Sequence, residues 1–173
     1  PGVGAVGAMH YYPDDTIQHS GVVLGVGGVA SHAHKGFDRG SEGMLNRARL
    51  VQNYSAVTGA TLVVRKDIYL DAGGFDEETL AVSFNDVDFC LRLRQRGYRT
   101  VWTPFAEFIH HESASRGDDL RPERRDAFAR EVEEMESRWG HILYRDPAYN
   151  TLLTLRKDDF SLADSPRDGE RFE

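Results

Sequence analysis

The sequence predicts an α/β domain built on a mixed sheet with flanking helices. Three observations lead there: β-branched and apolar runs within 3–24, 61–65 and 98–110, apolar residues at helical spacing in 84–96 and 122–139, and a glycine-rich connection between the first runs and the rest. At 173 residues, 40% of them hydrophobic, the chain can bury one core of ordinary size, so one domain is expected.

Val3 to Tyr12 is small and apolar, Pro13-Asp14-Asp15-Thr16 supplies turn chemistry, and Ile17 to Leu24 resumes the apolar pattern, which predicts a hairpin. Gly25 to Gly43, with His32, His34 and Lys35 among its glycines, predicts a long loop. Thr61 to Arg65 predicts a short buried strand, and Lys66 to Ala72 one or two helical turns stopped by Gly73-Gly74. Phe84, Val87, Cys90 and Leu91 predict an amphipathic helix over 84–96, ended by Gly97. Tyr98 to Thr103 and Ala106 to His110 predict two strands separated by Pro104, which has no N–H to give a ladder. Pro122 opens a second helix to about Trp139, with Phe128, Val132, Met135 and Trp139 at helical spacing. Order is expected to fade after Tyr149, and 165–173 reads as a frayed terminus.

Charge and composition exclude several functions. Lys and Arg total 21 against 28 Asp and Glu, a formal net charge of −7, which argues against sequence-independent nucleic-acid binding. A single cysteine, Cys90, makes neither an internal disulfide nor a thiolate cage, and a cytoplasmic location is expected, at most peripheral to the inner membrane. The longest apolar stretch, Gly21 to Ala30, falls short of the roughly 20 residues that span a bilayer, so no transmembrane segment is expected. The opening Pro1-Gly2-Val3-Gly4 has neither Met nor a signal-like run, and reads as a piece cut from a longer chain.

Three clusters stand out: Gly73 to Glu77 leading into Asn85 to Asp88, His110-His111 with Glu112 to Arg116, and Asn53 to Ala60. Asp86 and Asp88 diverge by about 200° on a helix, so they cannot share one ion or one proton. Asp88 has an ordinary ion-pair partner in Arg92, four residues on. Asp86 has Cys90 at that position and sits in the first turn, where the helix dipole favours its ionised, proton-accepting form. Asn85 and Asp86 also fit a plain capping role. His110 and His111, adjacent on an extended segment, face opposite sides, so only one is expected to look into a given site. Ser113, Ser115 and Arg116 after them suit phosphate oxygens, and a histidine beside phosphate donors suggests a metal-diphosphate site. His32 and His34, without paired carboxylates, read as loop residues rather than ligands.

From Gly4-Ala5-Val6-Gly7-Ala8 through Gln18-His19-Ser20-Gly21, Ala56-Val57-Thr58-Gly59-Ala60, Gly73-Gly74-Phe75-Asp76-Glu77, Phe84-Asn85-Asp86-Val87-Asp88 and His110-His111-Glu112-Ser113-Ala114-Ser115-Arg116, and on to Asp146-Pro147-Ala148-Tyr149-Asn150, the sequence resembles family 2 glycosyltransferases of the GT-A fold, especially those of bacterial O-antigen and other surface polysaccharide pathways. The resemblance implies transfer of a sugar from a nucleotide-sugar to a glycan or lipid-linked glycan, with inversion. It places Asp86 as the catalytic base and His110, with His111 as alternative, on a divalent cation, Mg or Mn. It also makes Thr58, Gly59, Asn85, Ser115 and Arg116 substrate-binding. On that pattern 1–150 is the C-terminal, acceptor- and metal-side portion, and 151–173 a partly disordered tail. The family's N-terminal nucleotide-binding half, with its Asp-x-Asp, is absent from these residues. They are therefore expected to turn over little alone, and strand edges left uncovered are open to pairing two copies.

Two other readings compete. A non-catalytic glycan-binding module would stack sugars on Tyr54, Tyr98 and Trp102, and a metal-dependent phosphoesterase would gather His32, His34, Asp86 and His110 around one cation.

Overall fold

The computed structural model describes residues 2–111 and 122–167. Its central element is β1 (Val3–Tyr11), buried along nearly its whole length, as befits a strand covered on both faces. On one side β1 runs parallel to β7 (Arg99–Ile109); on the other it pairs antiparallel with β2 (Ile17–His19) and β6 (Leu62–Val64). The strand β5 (Gln52–Tyr54) extends the sheet antiparallel to β7, while β3 (Val22–Leu24) and β4 (Ala30–His32) form a separate two-stranded sheet. The mixed α/β class follows the prediction.

Among the described residues three α-helices flank the sheet: α1 (Lys66–Asp71), α2 (Asn85–Gln95) and α3 (Pro122–Tyr144). The glycines placed after the first two end them as expected. At α1, Gly73 N–H donates to Leu70 and Gly74 N–H to Tyr69; at α2, Gly97 N–H donates to Arg94 and Tyr98 N–H to Leu93. Both are paired closures in which a left-handed residue, Gly73 at φ 85° and Gly97 at φ 84°, turns the chain back on its last carbonyls. The apolar face of α2 is wider than its sequence pattern shows. Val87, Cys90 and Leu91 join the larger core, and Phe89 and Leu93 pack with Ala5, Ile68 and Ala72 on another side.

Several expectations are corrected by tertiary contacts. The second arm of the expected hairpin breaks at Gly21 (φ 108°), where any Cβ would lie 2.3 Å from the Tyr54 ring, and the chain passes from β2 into the other sheet. The expected loop of 25–43 therefore contains a strand, β4, paired to β3. The strand β6 is not buried, since Val63 is 69% exposed. Pro104 does not divide two strands. It sits in a bulge of the single strand β7, where the register to β1 jumps from Ala8–Thr103 to Met9–Glu107 and no ladder hydrogen bond is asked of it. The helix α3 runs on to Tyr144 because Leu143 continues its buried stripe.

Residues 151–167 pack onto the domain instead of trailing from it. Phe160 is fully buried against Tyr149 and His34, and the Arg167 guanidinium donates to the carbonyls of Tyr144, Asn150 and Leu153. Asp146 anchors this end. Its buried carboxylate accepts from Leu24 N–H at 2.9 Å, Ser55 Oγ at 2.5 Å and Ala148 N–H at 2.8 Å. Residues 168–173 lie outside the described residues.

The tightest packing lies on β1. A Cβ at Gly7 would come 2.5 Å from Val57 Cβ, whereas one at Gly40 would meet nothing within 4 Å. Gly7→Ala is therefore expected to lower unfolding free energy by about 1–3 kcal/mol, the range of an overpacked core, while Gly40→Ala leaves it nearly unchanged. Urea midpoints of the two variants check this; equal effects would refute the close approach.

Candidate active site

A pocket of about 700 Å³ opens where the end of β1, β2, β4, the end of β7 and the start of α2 converge. Its lining includes Thr58, Gly59, Asn85, Asp86, His110 and His111, so the structure brings these sequence-predicted residues together. Ser115 and Arg116 lie outside the described residues.

Asp86 and Asp88 have separated as the helical spacing requires. Asp88 is fully buried and accepts from Arg92 Nε at 2.7 Å, Trp139 Nε1 at 3.0 Å and Arg138 Nη1 at 3.3 Å. Asp86 faces the pocket, and among the described residues it makes no ion pair. Its Oδ2 accepts from Gly59 N–H at 2.6 Å and its Oδ1 from Val87 N–H at 2.8 Å, which fixes the carboxylate plane without neutralising it. The capping role considered for Asn85 and Asp86 is realised in part, since Asp86 Oδ1 takes the first-turn Val87 N–H, while Asp86 Oδ2 reaches out of the helix to Gly59. The residue that caps α2 is Phe84, in a left-handed conformation at φ 62°, and its side chain makes no capping bond.

Gly59 is positioned by a short 3₁₀ turn, Gly59–Thr61, begun by Thr58, whose hydroxyl accepts from Ala60 N–H at 3.3 Å. A Cβ at Gly59 would lie 3.6 Å from Asp86 Oδ2 and 3.8 Å from Phe75, so the glycine backbone forms a wall directly beside the carboxylate.

Another part of the lining is made of imidazoles. His10 lies 5.4 Å from His19 and 5.7 Å from His110 between ring centroids, and His19 lies 4.9 Å from His32. His110 Nδ1 is 2.8 Å from Gln18 Oε1, His19 Nδ1 is 2.8 Å from His32 Nδ1, and His10 Nε2 bonds the Thr61 hydroxyl. Both His110 and His111 line the pocket, contrary to the alternation expected of them, because β7 has ended at Ile109 and strand geometry no longer sets their directions. His32 is also a pocket residue and not a bystander in a loop. Gln18 and His19 belong to a segment that carries the family resemblance but has no site role assigned to it, and His10 carries no sign at all; the pairing of β1 with β2 brings the three together.

The competing residue sets are not assembled. Tyr54 and Trp102 are buried, 3% and 0% exposed, and cannot stack on a sugar. His34 is buried between Ser20 and the Phe160 ring, apart from the pocket, so the four-residue phosphoesterase set does not form. Among the described residues no group of three or more His, Cys, Asp or Glu side chains is arranged to hold a metal ion.

Burial sets the protonation of the inner histidines. It lowers His10 from 6.5 to about 4, assisted by His110 and His32, and it lowers His19 well below 6.5, assisted by His32 and His10. His34 is lowered to about 4 by burial and by Arg47. The folded protein thus refuses protons that the unfolded chain binds below 6.5, so stability falls as pH drops from about 6.5 toward 4. For His10 alone the loss at pH 5 is on the order of 2 kcal/mol. Urea unfolding at pH 7.5 and pH 5.0 is expected to show this drop, and His10→Gln to shrink it; a drop unchanged by the substitution would contradict the assignment.

Comparison with known proteins gives this geometry a family. Residues 4–146 match the family model described as glycosyl transferase family group 2. Over 167 residues the chain is 53% identical to an uncharacterized protein, y4gI, of Sinorhizobium fredii, covering 96% of this chain and 18% of that protein. It is 37% identical over 183 residues to the O-antigen biosynthesis protein RfbC of Myxococcus xanthus, covering 99% of this chain and 13% of that one. A shorter match, 38% over 63 residues, covers 36% of this chain and 20% of an N-acetylglucosaminyl-diphospho-decaprenol L-rhamnosyltransferase of Mycobacterium tuberculosis. The chain therefore spans less than a fifth of the two relatives that it matches over nearly its whole length. No solved structure matches it significantly. With the family model covering most of its length, the chain belongs to glycosyl transferase family group 2.

Proposed function

We propose that this chain forms the acceptor side of an inverting glycosyltransferase of the GT-A type, acting in surface polysaccharide assembly, with Asp86 as the catalytic base. The observation that carries the reading is the Asp86 carboxylate, held by Gly59 N–H at the pocket wall and free of any ion pair among the described residues. It removes the proton of an acceptor hydroxyl as that oxygen bonds to the anomeric carbon. The bond from that carbon to the nucleoside diphosphate breaks on the opposite face, the leaving group keeps its electron pair, and the configuration inverts. Thr58, Gly59 and Asn85 line the space beside the base, where the acceptor and the transferred sugar meet.

A divalent cation, Mg²⁺ or Mn²⁺, would offset charge on the departing diphosphate. The fit to such an ion comes from one hydrogen bond. His110 Nδ1 is hydrogen-bonded to Gln18 Oε1, which fixes the ring and leaves Nε2 as the nitrogen that would meet a cation. His111 is the alternative ligand. Because the described lining contains one carboxylate, Asp86, further ligands would come from the diphosphate and from outside these residues. The RfbC name, O-antigen biosynthesis, and the rhamnosyltransferase name support a glycan or lipid-linked glycan acceptor. Donor, acceptor and the activity of the whole protein belong to this proposal.

Asp86→Asn in the full-length enzyme is expected to lower sugar transfer by roughly 10²–10⁴-fold, the usual range of general-base catalysis, while nucleotide-sugar affinity stays near wild type. Turnover close to wild type would overturn the role of Asp86.

A further inference from the structure

We propose that Glu131 is a positioning residue of this site: from α3 it grips the backbone of the segment that walls the pocket and delivers Asp86. The inference rests on the reading of Asp86 as the base. Glu131 is 5% exposed, and its two carboxylate oxygens are each committed to one of two consecutive amides, Oε1 to Val82 N–H and Oε2 to Ser83 N–H, both at 2.9 Å. Charge-assisted bonds of this kind are short and directional, and two in parallel fix orientation as well as distance.

What they fix is the approach to the base. Val82 and Phe84 both line the pocket, and Asn85 and Asp86 follow at once. Phe84 is non-glycine at φ 62°, a conformation that persists only where the surroundings enforce it. Glu131 holds the two residues before it, and one turn earlier on α3 Phe128 packs on the Phe84 ring at 5.5 Å between centroids. A buried carboxylate serving helix stability alone has no need of amides 48 and 49 residues away in sequence. Because the gripped segment carries the pocket residues Val82 and Phe84 and leads into Asp86, the effect falls on acceptor engagement and on the chemical step, not on the histidines.

The test uses the full-length enzyme with Glu131→Gln and Glu131→Ala. Glutamine keeps the shape and one acceptor oxygen, but sets an NH₂ against an amide N–H. For Glu131→Gln, a rise in acceptor KM of about tenfold with a fall in kcat is expected, donor KM unchanged, and for Glu131→Ala a larger effect in the same direction. Hydrogen exchange is expected to quicken across 81–85 while the body of α2 stays protected. Acceptor KM and kcat at wild-type values in the folded glutamine variant would overturn the proposal, as would parallel changes in both KM values or exchange quickening evenly through α2. If alanine fails to fold, the glutamine kinetics and exchange decide alone. Should Asp86→Asn abolish transfer while the Glu131 variants behave as wild type, the inference fails and the base assignment stands. Should Asp86→Asn transfer sugar normally, it is the assignment that fails.

Discussion

The structure turns on a buried carboxylate that does no chemistry. Asp88 is removed from water, and both its oxygens are taken up by donors, Oδ2 by Arg92 and Oδ1 by Arg138 and Trp139. Those donors tie together everything around the site. The Arg92 guanidinium also donates to the carbonyls of Ala72 and Gly74, and Arg138 reaches Asp76 and Thr79. Asp76, its carboxyl held well below the usual range by the Thr79 hydroxyl and amide, is itself the turn residue that folds the segment between α1 and α2. One ionic network thereby sets the rotation of α2 about its axis. At about 100° per residue, that rotation leaves Asp86 facing the pocket.

Charge is distributed unevenly across the pocket. The α2 side presents the Asp86 carboxylate, and the rest of the lining holds Lys35 and five imidazoles, of which burial keeps His10 and His19 neutral. The neutral rings of His10 and His19 offer lone pairs and N–H groups without adding positive charge to the pocket. In the proposed reaction the histidine side would face the departing diphosphate and its cation, and the Asp86 side the acceptor hydroxyl. The arrangement also makes the fold acid-sensitive, since the same burial that keeps the rings neutral penalises their protonation.

Much of this was legible in local sequence. The helical spacing of 84–96, the glycines after α1 and α2, and the divergence of Asp86 from Asp88 follow from single-element geometry and appear as expected. What was not legible depends on partners distant in the chain. The break at Gly21 is imposed by the Tyr54 ring, and the bulge at Pro104 by continued pairing with β1. His10, His19 and His32 sit in unremarkable strand positions until the two sheets meet. Glu131 looks like one more charge among Glu133, Glu134 and Glu136, and only Val82 and Ser83 distinguish it. The family resemblance pointed to Asp86 and His110 where periodicity alone left a capping residue and a strand-end histidine as alternatives.

The division of labour between the two carboxylates of α2 is the claim on which the account stands, and unfolding free energies of Asp88→Ala and Asp86→Ala test it most directly. Asp88→Ala is expected to lose about 3–5 kcal/mol, because it removes the buried anion that joins Arg92, Arg138 and Trp139, and Asp86→Ala about 1 kcal/mol or less. Equal losses, or the larger loss at Asp86, would mean that the pocket carboxylate is structural and that the site has been read the wrong way round.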